Sequence, residues 1–164
     1  MVASVVAVVA AIAATRKPRQ RVADVVQGIH WPVPGCDRTS SLWGLRKDPF
    51  GQSTTECHGG LDIPCASGNP VVAIESGVVL RADFRSSSAG GLVIVSHGDG
   101  WETRYMHLSG LDVLPGAVVV GGKQIGQVGT TGRSTGPHLH LEVRHNGVSI
   151  DPGPFFGKPH GVPC

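Results

Sequence analysis

The chain has 164 residues, of which 40% are hydrophobic and 16% charged, and its formal net charge is +2. This length suits one domain with its own hydrophobic core. The weak positive charge argues against a nucleic-acid partner but is compatible with attraction to an anionic cell wall. The 24 Gly and 12 Pro residues favour short strands joined by tight turns and argue against a mainly helical protein.

The N-terminal region opens with an apolar run, residues 2–14, that only Ser4 interrupts. The run is short for a membrane span but matches the hydrophobic region of a signal peptide. No basic residue precedes it, and the basic residues that follow it directly disfavour export; these are Arg16, Lys17, Arg19 and Arg21. Three interpretations stay open: a cleaved signal, which we slightly favour, an uncleaved anchor, or a helix packed in a larger assembly such as a virion.

The rest of the chain predicts a β protein. A connector with a short helix near residues 22–27 leads to an extended segment at 31–35, and residues 37–57 are rich in turn signals. We assign residues 1–30 to the N-terminal segment with its connector and 31–164 to the domain. Apolar and β-branched runs separated by short Gly-containing gaps predict strands joined as hairpins, at 71–75, 77–82, 91–96, 101–107, 117–120, 123–128, 138–144 and 147–150.

These elements predict an all-β single domain, in which antiparallel sheets of many short strands form a groove and helix is scarce. The loop-rich segment 37–57 precedes a His-Gly-Gly motif and is expected to rim the groove.

The predicted strand at 138–144 carries two histidines on one face. Its residues alternate strictly, so that one face holds His138, His140, Glu142 and Arg144 and the other holds Leu139, Leu141 and Val143. A strand fixes two such imidazoles side by side, which suits a metal site. The alternative is a surface strand that happens to carry two histidines.

A second candidate half-site is His58-Gly59-Gly60-Leu61-Asp62. The glycines and the nearby Pro64 argue against a helix, so His58 and Asp62 are expected on a loop that leads into a strand. Imidazoles with a carboxylate are ligands that suit zinc. Spacing alone leaves open whether one or both of His138 and His140 complete the set.

The four cysteines form an even set that allows three pairings: Cys36, Cys57, Cys65 and Cys164. Cys57 and Cys65 flank the His58–Asp62 motif, so a disulfide between them would restrain it. We therefore predict the pairs Cys57–Cys65 and Cys36–Cys164. The alternative is four free thiols in a reducing compartment.

The motifs together resemble those of the lysostaphin-type zinc metalloendopeptidases, which cut peptidoglycan peptides. The likeness rests on His58-x-x-x-Asp62 and on Ser134-Thr135-Gly136-Pro137-His138-Leu139-His140-Leu141-Glu142-Val143. Further segments follow in the family's order from residue 31 to 152, namely 31–35, 72–74, 77–79, 93–98, 103–109 and 125–132. Leu141 stands where the family often has an aromatic residue, and the cysteines are an addition to a domain that often has none.

The resemblance implies roles for five residues. His58, Asp62 and His140 would bind zinc, while His107 and His138 would be catalytic histidines beside the metal. His138 would be the general base and His107 would donate a hydrogen bond to the oxyanion, although these two roles are open to exchange. Glu142 either orients a ligand ring or is simply exposed.

The implied activity is zinc-dependent hydrolysis of peptide bonds in bacterial peptidoglycan, in the interpeptide bridge or the stem cross-link, through a metal-activated water. The alternative is a non-catalytic cell-wall-binding or activator module of the same fold, or a domain carried on a phage particle. The expected location is extracellular or periplasmic, or a phage virion, with membrane or virion association through residues 2–14 left open.

Overall fold

A computed structural model of the protein describes residues 28–51 and 54–164, and the regular secondary structure of this part of the chain consists almost wholly of antiparallel strands. The all-β prediction is therefore confirmed. The strands are β1 (Gly44–Lys47), β2 (Thr55–His58), β3 (Leu61–Pro64), β4 (Pro70–Val72), β5 (Gly77–Ser86), β6 (Gly90–Gly98), β7 (Trp101–Leu108), β8 (Gly110–Leu111), β9 (Val118–Val119), β10 (Gln124–Gln127), β11 (His138–His145) and β12 (Val148–Ile150), followed by a 3-10 helix at Gly153–Phe156.

The largest sheet has the strand order β12-β11-β7-β6-β5-β9, and β3 is added beside β11. One edge of β11 pairs with β7, while its other edge pairs first with β3 and then with β12. A smaller sheet has the order β4-β10-β8, and β1 and β2 form a separate hairpin. Strand β11 therefore pairs with three other strands, β3, β7 and β12.

The core is formed by the inward side chains of these strands. Leu139 and Leu141 of β11 are fully buried and Val143 nearly so, which confirms the alternation predicted for this strand. Tyr105 is also fully buried, and its hydroxyl accepts a hydrogen bond from the Ile74 amide at 2.8 Å. Burial raises the pKa of Tyr105 to about 12, so it packs as a neutral core residue.

All eight predicted strands are present, with ends shifted by a few residues. The prediction of a loop-rich segment at 37–57 was wrong in part, because it contains β1 and all of β2 except His58. His58 is the last residue of β2 and Asp62 lies inside β3, so the motif spans a strand-to-strand turn. The predicted apolar segment at 2–14 and the helix near 22–27 lie outside the described residues. Within the described residues, no helix is long and apolar enough to cross a membrane.

Two disulfides are present, but the predicted pairing was wrong. The bonds join Cys36 to Cys65 and Cys57 to Cys164. The C-terminal segment runs beside β1, where the Leu45 amide donates to the Val162 carbonyl, and this brings Cys164 to β2 instead of to Cys36. Disulfides are typical of proteins outside the cytoplasm.

Candidate metal centre

The register between β3 and β11 places His140 directly opposite Asp62. His58 comes from the end of β2 and reaches the same point through the turn at Gly59 and Gly60. A Cβ on Gly60 would collide with the Leu141 carbonyl and crowd the His140 ring. Glycine at position 60 is therefore what lets β2 and β3 approach β11 closely enough to bring the three side chains together.

Three ligand atoms converge at this point. The distances are 3.2 Å from His58 Nε2 to Asp62 Oδ1, 3.0 Å from His58 Nε2 to His140 Nδ1, and 2.7 Å from His140 Nδ1 to Asp62 Oδ1. Tetrahedral zinc with bonds of about 2.05 Å would hold such atoms about 3.3 Å apart. The three sides of this triangle are shorter than that by between about 0.1 and 0.6 Å, so a small outward movement lets the three residues hold a metal ion.

Each histidine in this cluster has a polar partner on the ring edge that faces away from the cluster. The Nδ1–H of His58 donates to the Leu42 carbonyl at 2.7 Å, which leaves the Nε2 lone pair for a metal. His140 has the opposite orientation, with Nε2 3.6 Å from Glu142 Oε1 and Nδ1 in the cluster. Glu142 is half-buried beneath the His58–Asp62 turn, so the structure favours the ring-orienting interpretation over simple exposure.

The charges of the cluster are strongly coupled. Burial alone would raise the pKa of Asp62, but hydrogen bonds with His140 and His58 outweigh burial and hold that pKa far below its usual range. Burial lowers the pKa of His140, but the neighbouring Asp62 and Glu142 carboxylates raise it to about 9. Contact between the two groups therefore favours the ionised form of Asp62 and the protonated form of His140.

His107 and His138 lie beside the cluster, with ring centroids 4.8 Å apart. The Nδ1–H of His107 donates to the Thr131 carbonyl and that of His138 to the Gly136 carbonyl, both at 2.8 Å. Both rings therefore keep Nε2 free, and in His138 this atom is 3.6 Å from Asp62 Oδ1. Burial lowers the pKa of His107 to about 4, so this ring is neutral at physiological pH.

A shallow cleft of about 250 Å³ opens beside these histidines. One wall is the loop that precedes β11, and the other comes from the loop before β1 and from β3. The cleft is lined by Ser40, Asp62, Pro64, Thr135, Gly136, Pro137 and His138. A ligand in this cleft would contact Asp62 and His138 directly.

The structure brings together all five residues that the sequence predicted for the site. Sequence reasoning missed Arg46, whose guanidinium donates to the second oxygen of Asp62 at 2.8 Å. The sequence could have indicated Arg46 only through its cross-strand pairing with Glu56, and that pairing requires that β1 and β2 be recognised as a hairpin.

Comparison with known proteins gives consistent matches. A profile of Peptidase family M23 matches residues 56–152, more than half of the chain. The chain is 44% identical over 115 residues to the DD-carboxypeptidase/endopeptidase Mpg of Neisseria meningitidis, covering 70% of this chain and 26% of that protein. It is 43% identical over 121 residues to the peptidoglycan DD-endopeptidase ShyA of Vibrio cholerae, covering 74% of this chain and 28% of that protein. The chain thus spans about a quarter of the length of these relatives.

Solved structures show the same relationship. The catalytic domain of lysostaphin from Staphylococcus simulans matches with a TM-score of 0.65 and 32% identity, covering 74% of this chain and 92% of that one. A zinc-containing peptidase from Vibrio cholerae matches with a TM-score of 0.67 and 32% identity, covering 74% and 37%. Since the family profile spans most of the strands that build the site, the chain belongs to peptidase family M23.

Proposed function

We propose that this chain is a zinc-dependent endopeptidase domain that hydrolyses peptide bonds in bacterial peptidoglycan. The observation that carries the proposal is the convergence of three ligand atoms with two further histidines at one end of β11. A non-catalytic binding module would need only the cleft, and nothing about binding alone requires two fixed histidines next to a metal-binding cluster.

Zinc would be held by His58 Nε2, Asp62 Oδ1 and His140 Nδ1. Two imidazoles and one carboxylate are a common catalytic zinc set, which leaves a fourth position open. When bound, zinc polarises a carbonyl and makes water a better nucleophile. The solved zinc-containing peptidase of similar fold supports zinc over other divalent ions.

His138 is proposed as the general base. Its Nδ1–H is committed to the Gly136 carbonyl, so Nε2 carries the lone pair and faces the metal cluster. This atom can accept a proton from an attacking water and return it to the leaving amine nitrogen.

His107 is proposed as its neutral partner. With Nδ1–H bound to Thr131, its Nε2 accepts hydrogen bonds and can orient the attacking water. Donation to an oxyanion, the role expected from the family resemblance, would need either a protonated ring, which burial disfavours, or the other tautomer with loss of the Thr131 bond.

The proposed substrate is the peptide cross-link between peptidoglycan stems. The two relatives described above carry DD-endopeptidase or DD-carboxypeptidase/endopeptidase in their names, which supports the stem cross-link over an interpeptide bridge. The open cleft with Gly136 and Pro137 in one wall suits a slender peptide segment.

We propose residues 31–164 as the peptidase domain. Val33 is fully buried in the core at one end of this range, and Cys164 is disulfide-bonded to β2 at the other. The disulfides support action outside the cytoplasm, and residues 1–30 are proposed to carry a signal or anchor that delivers or tethers the domain there.

The test is digestion of two purified peptidoglycans, one with direct stem cross-links and one with glycine bridges. Each digestion is run with the protein as purified, after chelation, and after zinc is restored, and the products are read by mass spectrometry. Peptide products from the directly cross-linked wall that disappear on chelation and return with zinc support the proposal. Stoichiometric zinc without cleavage of either wall would contradict it and favour a binding module.

A further inference from the structure

Arg46 is a side chain that ties the metal cluster to the β1–β2 hairpin. Its Nη1 donates to Asp62 Oδ2 at 2.8 Å and to Ser41 Oγ at 2.9 Å. Its Nε and Nη2 donate to Glu56 Oε1 at 2.9 and 2.7 Å. One guanidinium therefore contacts β2, β3 and the loop before β1.

The hydrogen bond from Arg46 gives the two carboxylate oxygens of Asp62 different partners. Oδ1 points at His58 and His140, whereas Oδ2 is occupied by Arg46. A free carboxylate can bind a metal through one oxygen or through both. With Oδ2 engaged in a charge-assisted hydrogen bond, Oδ1 is the oxygen that would bind a metal, and the coordination position that a second oxygen would fill would be left open.

Glu56 holds the guanidinium in place. Arg46 and Glu56 are directly opposite in the register between β1 and β2, and their ion pair is 2.7 Å long with about a quarter of each side chain exposed. Partial burial and two donors on one carboxylate oxygen restrict the guanidinium to one orientation. The orientation of the Asp62 carboxylate is therefore set by a hairpin that itself supplies only His58 to the cluster.

We propose that Arg46 is a positioning residue that holds Asp62 as a single-oxygen metal ligand and so preserves the open position on the metal. The inference rests on the proposed zinc centre, because it concerns how one of its ligands binds. A purely mechanical role for Arg46, stapling the hairpin to β3, would affect unfolding but leave the affinity and coordination of the metal unchanged.

The experiment compares Arg46→Met, which removes every donor, and Arg46→Lys, which keeps the charge but cannot bridge Glu56 and Asp62 with a planar fork. The matched control is Arg81→Met, which breaks an ion pair with Asp83 at 2.8 Å on β5, away from the cluster. For each protein, the thermal midpoint without metal, the zinc affinity by chelator competition and the visible spectrum of the Co²⁺ form are measured. The Co²⁺ spectrum reports coordination number, because four-coordinate Co²⁺ absorbs far more strongly than five- or six-coordinate Co²⁺.

We expect Arg46→Met to bind zinc about 10- to 100-fold more weakly, as when other groups that orient metal ligands are removed. Its Co²⁺ band should weaken because Asp62 can then bind through both oxygens, and Arg46→Lys should lie between Arg46→Met and the wild type. The control should match the wild type in both readouts.

Wild-type zinc affinity and an unchanged Co²⁺ spectrum in the Arg46 variants would overturn the inference while leaving the zinc centre standing. If Arg46→Met fails to fold, Arg46→Lys decides by the same two readouts. A wild-type protein that binds neither zinc nor Co²⁺ would overturn the proposed metal centre and this inference with it.

Discussion

Replacing His138 with Ala should separate catalysis from metal binding. His138 Nε2 lies 3.6 Å from Asp62 Oδ1, whereas the three proposed ligand atoms lie within 3.2 Å of one another. The three ligands keep their own supports in the variant, so we expect one zinc per chain, as in the wild type.

The expected loss of activity follows from the role of the ring. Removing a positioned general base slows a reaction by roughly 10²- to 10⁴-fold, which corresponds to about 2.7–5.5 kcal/mol in the activation free energy. The hydrogen bond from His138 Nδ1 to Gly136 contributes only about 1 kcal/mol to the free energy of unfolding. The variant should therefore fold, bind zinc and turn over very slowly.

The assay measures kcat on a cross-linked stem-peptide fragment together with zinc content. His140→Ala should lose zinc and activity together. His145→Ala is the matched control, because His145 stacks on Trp101 at the other end of β11. Full activity of His138→Ala at normal zinc content would refute the assignment of the base, and loss of zinc from His138→Ala would mean that this ring is a ligand.

Further predictions concern the supports of the site. Glu142→Gln should weaken zinc binding about 10- to 100-fold in a chelator competition, because the carboxylate that orients His140 is lost; unchanged affinity would show that Glu142 is a bystander. The pKa of metal-free His140 is raised to about 9, so below that pH zinc must displace a proton from this ring. The apparent affinity for zinc should therefore rise about tenfold per pH unit up to about pH 9, which a zinc titration at fixed ionic strength measures. Replacing Cys57 and Cys164 by Ser opens a 107-residue separation and should lower the free energy of unfolding in urea by up to about 4.8 kcal/mol; a loss below about 1 kcal/mol would contradict this.

Most of the strands that the sequence predicted have a buried face, although β12 has none, and the buried strand β3 was expected only as the strand that follows the His58–Asp62 loop. In β11 the alternation of Leu139, Leu141 and Val143 with polar residues reflects one face in the core and one in the site. Strands β1 and β2 were missed because most of their residues are partly or fully exposed and they pair mainly with each other. No hydrophobic period marks such a ribbon, and its pairing depends on contacts from distant parts of the chain.

The disulfide pairing failed for a related reason. Cys57 and Cys65 flank the His58–Asp62 motif in the sequence, but the turn between β2 and β3 sends the two strands to different neighbours. Closeness in sequence predicts a disulfide only when the connecting backbone reverses on itself, and the position of Cys164 is set by the path of the whole domain.

The ligand residues could be predicted because they belong to short motifs, whereas their orientation could not. Whether His140 offers Nδ1 or Nε2 is decided by Glu142, which shares its face of β11, and which oxygen of Asp62 is free is decided by Arg46. Residue types and spacing define the ligand set, but the pairing of strands defines which atom of each ligand faces the metal.

The relative placement of His107 and His138, the two proposed catalytic histidines, depends on the conformation and hydrogen bonds of the backbone around them. His107 has a φ of 64°, a left-handed conformation that costs a non-glycine residue roughly 1–2 kcal/mol. The segment 129–131 compensates, because the Thr131 carbonyl accepts from His107 Nδ1 while the Gly129 carbonyl accepts from the His138 amide. One three-residue segment thus fixes both histidines, although they are far apart in sequence. The strained backbone of His107 is thus held by the same segment that supports His138. Such strain is typical of functional sites, and here it helps to align the two imidazole rings.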